Sequence, residues 1–116
     1  MARVTDTETE GALLPEPAPG EIQLVAVLSA LADPIRLRIV RELADAAGPL
    51  SCTALELPVS KSTCTHHFRV LRESGVIRQQ RVGTARMSSL RTAELGERFP
   101  GLLASVLSAA ADGASG

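Results

Sequence analysis

The stretch from Ser60 to Gly75 constrains the fold most strongly, because its two ends carry the signals of a helix start and a helix end. The Ser60 hydroxyl can accept a hydrogen bond from a free amide at the start, and glycine commonly follows the last turn in a left-handed conformation. Pro58 ends any helix that precedes it. The sequence therefore predicts a short helix, a tight turn and a longer helix, which is the frame of a helix-turn-helix.

The composition predicts a fold that is mainly α with a small β-hairpin. Hydrophobic residues make up 45% of the 116 residues, but Phe68 and Phe99 are the only aromatic ones, so Leu, Val, Ile and Ala must build the core. Asp33-Pro34 can start a second helix after an apolar first one, and Ser51 can start a short third one. A hairpin is expected over 77–90 around Gly83 and a last helical region from Thr92.

The chain is long enough for one domain with one core. Residues 1–20 combine acids, Thr, Pro and Gly without periodicity, which predicts a flexible N-terminal arm. We expect a single winged helix-turn-helix domain over 21–111 and a disordered tail over 112–116. Pro100 should interrupt the last helical region.

Both histidines of the chain lie on the predicted helix over 61–74, next to one of the two cysteines. At 100° per residue, Cys64 and His67 share a face with Phe68 and Leu71, whereas His66 points the opposite way. A metal needs three or four converging ligands, and a Cys-His nucleophile needs an orienting group, so no metal site and no catalytic site are predicted. No phosphate loop or zinc-protease motif is present, and we expect no enzyme.

The positive charge is concentrated in the middle of the chain. The net charge is −1 overall, but residues 33–91 carry ten basic groups against five acids. The outer face of the helix over 61–74 carries hydroxyls, one imidazole and one guanidinium, which are groups that bind base edges and phosphates. The expected DNA-binding residues are Lys61, Ser62, Thr63, Thr65, His66, Arg69, Arg72, Arg78, Arg81 and Arg86.

Three segments in this order resemble the ArsR/SmtB family of bacterial winged helix-turn-helix transcription regulators. They are LADPIRLRIVREL, SKSTCTHHFRVLRESGVI as the recognition helix, and RQQRVGTARMSSLR as the wing. The resemblance implies a homodimer formed through the first and last helices that binds operator DNA of dyad symmetry and responds to an effector, as repressors do. The apolar stripes on those helices fit a dimer interface of Leu24, Val25, Leu28, Leu102, Leu103, Val106 and Leu107.

The effector stays open. Metal-sensing members of the family often carry a cysteine pair before the recognition helix, or His and acidic ligands on the last helix. This chain has only Cys52 at the first place and no His or Cys over 92–116, so no cofactor is predicted. Metal sensing by an acidic site of Glu94, Glu97, Asp112 or carboxylates of the arm stays open. One alternative is a thiol-redox-responsive regulator that uses Cys52 and Cys64, and another is a protein-interaction module that works with a separate sensor protein. The absence of a 20-residue apolar run or a secretory signal predicts a cytoplasmic protein, no membrane partner, and cysteines kept as thiols.

Overall fold

The computed structural model describes residues 12–115 and has the predicted architecture, mainly α with one hairpin. Its elements are helices α1 (Leu24–Leu31), α2 (Pro34–Asp45) and α3 (Lys61–Ser74), strands β1 (Ile77–Val82) and β2 (Ala85–Leu90), and helices α4 (Thr92–Arg98) and α5 (Leu102–Ser115). Single 3-10 turns occupy Pro19–Glu21 and Thr53–Leu55. None of the helices between residues 12 and 115 is both long and apolar enough to cross a membrane.

The helix boundaries follow the capping residues in the sequence. Asp33 accepts hydrogen bonds from the amides of Ile35 at 2.9 Å and Arg36 at 3.0 Å, which satisfies two free donors at the start of α2. Ser60 accepts from the amide of Thr63 at 3.2 Å at the start of α3. At the end of α3, Gly75 has φ 92° and its amide donates to the carbonyl of Arg72 at 3.1 Å. Both predicted boundaries of the helix over 61–74 are confirmed.

The third predicted helix is reduced to the 3-10 turn Thr53–Leu55. Glu56 follows this turn in the left-handed region, with φ 49°, and that conformation ends the helical hydrogen bonding. Only Leu55 of this turn is buried. The first half of the helix-turn-helix is therefore shorter than the sequence predicts.

Pro100 divides the last helical region as predicted, and Gly101, which has φ 81°, directly precedes α5. Helix α5 continues to Ser115. The range of the predicted disordered tail, 112–116, thus overlaps this helix over residues 112–115. Gly116 lies outside the described residues.

The wing is wider than the predicted hairpin. β1 and β2 pair antiparallel from Ile77 with Leu90 to Val82 with Ala85, and isolated bridges add Leu13 beside Gln80 and Leu50 beside Ser88. On the outer edge of β1, the Leu14 amide donates to the Gln79 carbonyl at 2.9 Å. The N-terminal segment therefore covers the edge that a two-stranded wing would leave open.

Part of the segment that the sequence predicts as a flexible arm, residues 12–20, is packed against the wing. Leu14 is buried, and the Arg81 amide donates to the Ala12 carbonyl at 2.9 Å. The sequence argument missed this because pairing with an existing strand edge supplies backbone hydrogen bonds that need no periodic pattern in the added segment. The remainder of the predicted arm, residues 1–11, lies outside the described residues.

The core lies between α2, α3 and the start of the wing. Ile39, Leu71, Val76 and Ile77 are fully enclosed there. Burying a side chain of this size stabilises the fold by about 1.5–3 kcal/mol. This core holds the inner face of α3, so the outer face of the same helix takes a defined direction.

A partly buried polar contact fixes α3 against α2. Nη1 of Arg36 lies 3.1 Å from Nδ1 of His67, and Nε of Arg36 donates to the Ala30 carbonyl at 2.7 Å. Arginine can only donate, so Nδ1 of His67 must be the acceptor and the imidazole must be neutral. Burial lowers the pKa of His67, which favours that neutral form, although the nearby carboxylate of Asp33 opposes the shift.

We predict that Gly75→Ala destabilises the fold by about 2–4 kcal/mol. A Cβ at this position would lie 2.7 Å from Cγ1 of Ile22, and the φ of 92° is strained for alanine. Gly83→Ala is the matched control, because Gly83 has φ 63° but nothing within 4 Å of an added Cβ. Urea unfolding should show a larger loss for Gly75→Ala, and equal losses would refute the steric argument.

We predict that the free energy of unfolding decreases as the pH falls below 6.5, the ordinary pKa of histidine, because the unfolded chain takes up the proton more readily than His67 does in the fold. His67→Gln keeps an acceptor but does not titrate, so its stability should change less between pH 7.5 and pH 5. His66→Gln is the control, since His66 is exposed. Urea midpoints over this range test the prediction, and an equal pH dependence in all three proteins would contradict it.

Candidate nucleic-acid interface

Helix α3 separates its two histidines as its sequence predicts. Cys64 and His67 are buried together with Phe68 and Leu71 on the inner face. The outer face exposes Ser62, Thr65, His66 and Arg69. A row of short polar side chains and one guanidinium therefore faces solvent on a helix whose other side is held by the core.

Hydroxyl groups organise the start of α3. Oγ of Ser60 donates to Oγ1 of Thr63 at 3.0 Å and lies 3.3 Å from Oγ of Ser62. One turn later, Oγ1 of Thr65 donates to the Lys61 carbonyl at 3.0 Å. These bonds leave acceptor capacity on the hydroxyl oxygens and orient them at the end of the helix where the backbone amides are free.

The tip of the wing carries two opposed arginines. Arg81 and Arg86 are directly paired across the hairpin, and both are exposed. Like charges in direct cross-strand positions repel each other. Neither guanidinium has an acidic partner within residues 12–115, so an external anion such as a phosphate would relieve this repulsion.

A groove of about 530 Å³ separates α3 from the wing tip. Lys61 and Thr65 line it on the α3 side, and Thr84 and Arg86 line it on the wing side. Ser51 and Thr53 contribute hydroxyls from the segment before α3. The groove thus combines two cations with neutral donors, which is the chemistry that binds a phosphodiester backbone.

Arg72 does not belong to this surface, although the sequence predicted it as a DNA contact. It is 8% exposed, and its Nη1 donates to Oε1 of Gln79 at 2.7 Å while its Nε donates to the Pro15 carbonyl at 3.1 Å. Burial lowers the pKa of its guanidinium. Arg72 instead connects α3 to β1 and to the N-terminal segment, because it lies between the inner and outer faces of the helix.

Arg78 is half-buried, and its guanidinium is also bonded to protein atoms. Its Nη2 donates to Glu16 at 2.9 Å and to Glu94 at 2.7 Å. These two hydrogen bonds raise the pKa of Arg78, and the bond from Arg78 lowers the pKa of Glu94. The predicted phosphate contact is therefore replaced by an ion-pair cluster between the wing, α4 and the N-terminal segment.

Sequence reasoning missed the group at the centre of this cluster. Arg91 is 2% exposed, its Nη1 donates to the Pro17 carbonyl at 2.8 Å, and its Nη2 lies 3.7 Å from Glu16 and 3.6 Å from Glu94. Within residues 12–115 its Nε has no hydrogen-bond partner. The three-residue spacing of Arg91 and Glu94 at a helix start could have indicated an ion pair. Glu16 lies 75 positions before Arg91, and no local pattern indicates that its carboxylate joins this cluster.

The cysteines differ from the sequence prediction of two free thiols. Cys52 and Cys64 form a disulfide. Cys64 is buried as predicted, whereas Cys52 is half-buried and lines the groove between α3 and the wing. Among the described residues no group of three or more His, Cys, Asp and Glu is arranged to hold a metal ion.

The predicted dimer residues divide into two groups. Leu24, Val25 and Leu28 of α1 are exposed, with Val25 at 77%. Leu102, Leu103, Val106 and Leu107 of α5 are partly buried and pack against the core. The two helices are neighbours, since Val27 and Leu31 of α1 line one small cavity together with Leu102 and Leu103.

Comparisons with known sequences match the part of the chain that contains the helix-turn-helix. A family described as "Helix-turn-helix domain" matches residues 31–80. The chain is 38% identical over 61 residues to the transcriptional repressor SmtB homolog of Synechocystis sp., and this match covers 53% of the chain but only 46% of that protein. It is 32% identical over 79 residues to YceK of Bacillus subtilis, an uncharacterised HTH-type transcriptional regulator, covering 66% of the chain and 79% of YceK.

Solved structures agree with these sequence matches. An ArsR-like transcriptional regulator from Rhodococcus sp. RHA1 superposes with a TM-score of 0.57 at 26% identity, covering 79% of this chain and 87% of that one. The transcriptional repressor BigR from Xylella fastidiosa superposes with a TM-score of 0.53 at 27% identity, covering 66% and 85%. These relatives are regulators and not enzymes. The chain therefore belongs to the ArsR/SmtB family of helix-turn-helix transcriptional regulators.

Proposed function

We propose that the protein is a homodimeric regulator that binds double-stranded operator DNA sequence-specifically. The observation that carries this proposal is the outer face of α3, where Ser62, Thr65, His66 and Arg69 are exposed on a helix anchored by its buried inner face. Helices with such a row of donors and acceptors fit the major groove, in which every base pair presents a distinct pattern.

Phosphate binding is assigned to basic groups near α3 and on the wing tip that have no acidic partner among residues 12–115. Lys61 and Arg86 line opposite sides of the groove beside α3, and Arg81 extends the wing tip. Thr63 flanks the start of the helix. Arg72 and Arg78 are removed from the proposed contact set, since both guanidinium groups bind protein atoms.

The proposed dimer is formed by α1 and α5. Helix α1 exposes the apolar side chains of Leu24, Val25 and Leu28 on one face. Burial of such a face against another apolar surface is favourable. A second copy offers the same face, and two-fold symmetric association is the commonest arrangement of soluble oligomers. Two copies would present their α3 helices to two half-sites of one operator.

Two alternatives concern the regulation of the same fold. The Cys52–Cys64 disulfide supports a thiol-responsive regulator, because the two sulfurs are close enough to bond. A protein-interaction module with a separate sensor protein has no comparable support in residues 12–115. Repression is the proposed outcome of binding, by analogy with the relatives that are named repressors.

We predict that Arg81→Gln and Arg86→Gln weaken binding to all duplexes roughly three- to tenfold and each reduce the salt slope by about one, because each removes one phosphate contact. Thr65→Ala and His66→Ala should instead lose about 1–3 kcal/mol of discrimination between the cognate and a scrambled duplex. Arg38→Gln, on α2 and paired with Glu42, is the control for charge loss outside the interface. Fluorescence anisotropy at several salt concentrations tests this division, which fails if both classes affect both duplexes equally.

The proposed operator geometry is also testable. Two α3 helices of a symmetric dimer should enter the major groove about 34 Å apart, so footprints should contain half-sites spaced by roughly 10 base pairs or a multiple.

We predict that Val25→Asp converts the protein to a monomer, because a carboxylate at the most exposed apolar position of α1 would have to be buried unpaired in the dimer. Val82→Asp is the matched control, since Val82 is also an exposed valine, at 47%, but lies on the wing. Sedimentation equilibrium should show the dimer for the parent and for Val82→Asp. A dimeric Val25→Asp protein would disprove the assignment of α1 to the interface.

A further inference from the structure

The disulfide connects the start of the first half of the helix-turn-helix to the recognition helix α3. Cys52 directly precedes the 3-10 turn Thr53–Leu55, and Cys64 lies one turn into α3, 12 residues later. Their Cα atoms are 7.0 Å apart. The bond therefore limits the distance between the segment around Cys52 and the N-terminal half of α3. That half of the helix carries most of the proposed base contacts.

The surroundings of the two sulfurs are unequal. Cys64 is 3% exposed, beneath α3, whereas Cys52 is half-buried and lines the groove that is open to solvent. Lys61 and Arg86 line that same groove, and reactive cysteines generally lie in electropositive, partly exposed surroundings. Cys52 is thus the sulfur that is accessible to a small oxidant from solvent, and Cys64 is the shielded one.

We infer that Cys52 and Cys64 form a peroxide-reactive dithiol site whose oxidation strengthens DNA binding by the adjacent face of α3. This inference rests on the proposed function, whose regulation it specifies. In a reducing compartment, which the sequence predicts, a disulfide of this kind is transient and signals oxidation instead of serving as a permanent cross-link.

The chemistry requires only a hydroperoxide and a dithiol reductant. The Cys52 thiolate attacks one oxygen of hydrogen peroxide, the O–O bond breaks, and water leaves after protonation, so Cys52 becomes a sulfenic acid. The Cys64 sulfur then attacks the Cys52 sulfur, the S–O bond breaks, and a second water leaves. Two thiols lose two electrons and one peroxide gains them. A dithiol reverses the oxidation by exchange through a mixed disulfide.

The direction of the effect follows from the geometry of the bonded state. With the disulfide formed, Ser62, Thr65 and His66 are exposed and the groove beside them is open. The bond limits the movement of Lys61 and Thr65, next to Cys64, relative to Ser51 and Thr53, next to Cys52. Binding to the oxidised protein therefore orders fewer groups than binding to the reduced protein, which increases affinity.

The test uses the full chain, fully reduced with dithiothreitol or oxidised with hydrogen peroxide. Alkylation and mass spectrometry count the free thiols in each state, and anisotropy measures binding to duplexes enriched from a random-sequence pool by both states. We expect oxidation to remove both alkylatable thiols, to raise Tm by on the order of 10 °C, and to tighten binding roughly three- to tenfold. Dithiothreitol should reverse all three changes, which distinguishes them from methionine oxidation.

Variants separate the switch from damage to the fold. Cys52→Ser changes only the half-buried sulfur, and Cys64→Ala avoids placing a hydroxyl in the core. Each should bind with the affinity of the reduced parent and should show no reversible response to peroxide. If peroxide still tightens the binding of Cys52→Ser reversibly, the assignment is wrong.

The remaining outcomes also decide the question. Two thiols that survive peroxide treatment, or a disulfide that forms without a change in DNA affinity, would overturn the inference while leaving the proposed function intact. If neither state enriches any duplex, the proposed function fails and the coupling to DNA fails with it. The thiol count then still shows independently whether the dithiol reacts.

Discussion

Burial of the inner face of α3 is the interaction on which the rest of the structure depends. Phe68 and Leu71 place this face in the core, and the hydrogen bond between Arg36 and His67 adds a directional contact to α2. Apolar burial alone is non-directional and would tolerate small rotations of the helix. The polar contact requires one orientation, and it thereby sets the direction of Thr65 and His66 on the opposite side.

The distribution of charge depends on which basic groups have internal partners. Glu16 and Glu94 surround Arg78 and Arg91, so these guanidinium groups stabilise the junction of the wing, α4 and the N-terminal segment. Arg81 and Arg86 lie a few residues away on the same hairpin, and both side chains are exposed to solvent. A basic segment of sequence is thus divided into a structural part and a part that is available to an anion.

The N-terminal segment and the disulfide both restrain the proposed DNA-binding surface from its edges. Backbone hydrogen bonds from Leu14 and to Ala12 extend the wing, and the Cys52–Cys64 bond holds the turn before α3. The first restraint consists of backbone hydrogen bonds, which do not depend on redox conditions, whereas a disulfide can be made and broken as those conditions change. The same recognition surface can therefore have a fixed architecture and an adjustable rigidity.

The sequence by itself determined the helix over 61–74, the two faces of that helix and the hairpin over 77–90, because caps, apolar spacing and turn residues act over a few neighbouring positions. Only the tertiary structure decided three other features. They are the partners of Arg72 and Arg78, the placement of Leu14 against the wing, and the pairing of Cys52 with Cys64. Each of these contacts joins residues that are distant in the chain or lie on different elements. Local patterns carry no information on such contacts, since packing of the whole domain brings the groups together.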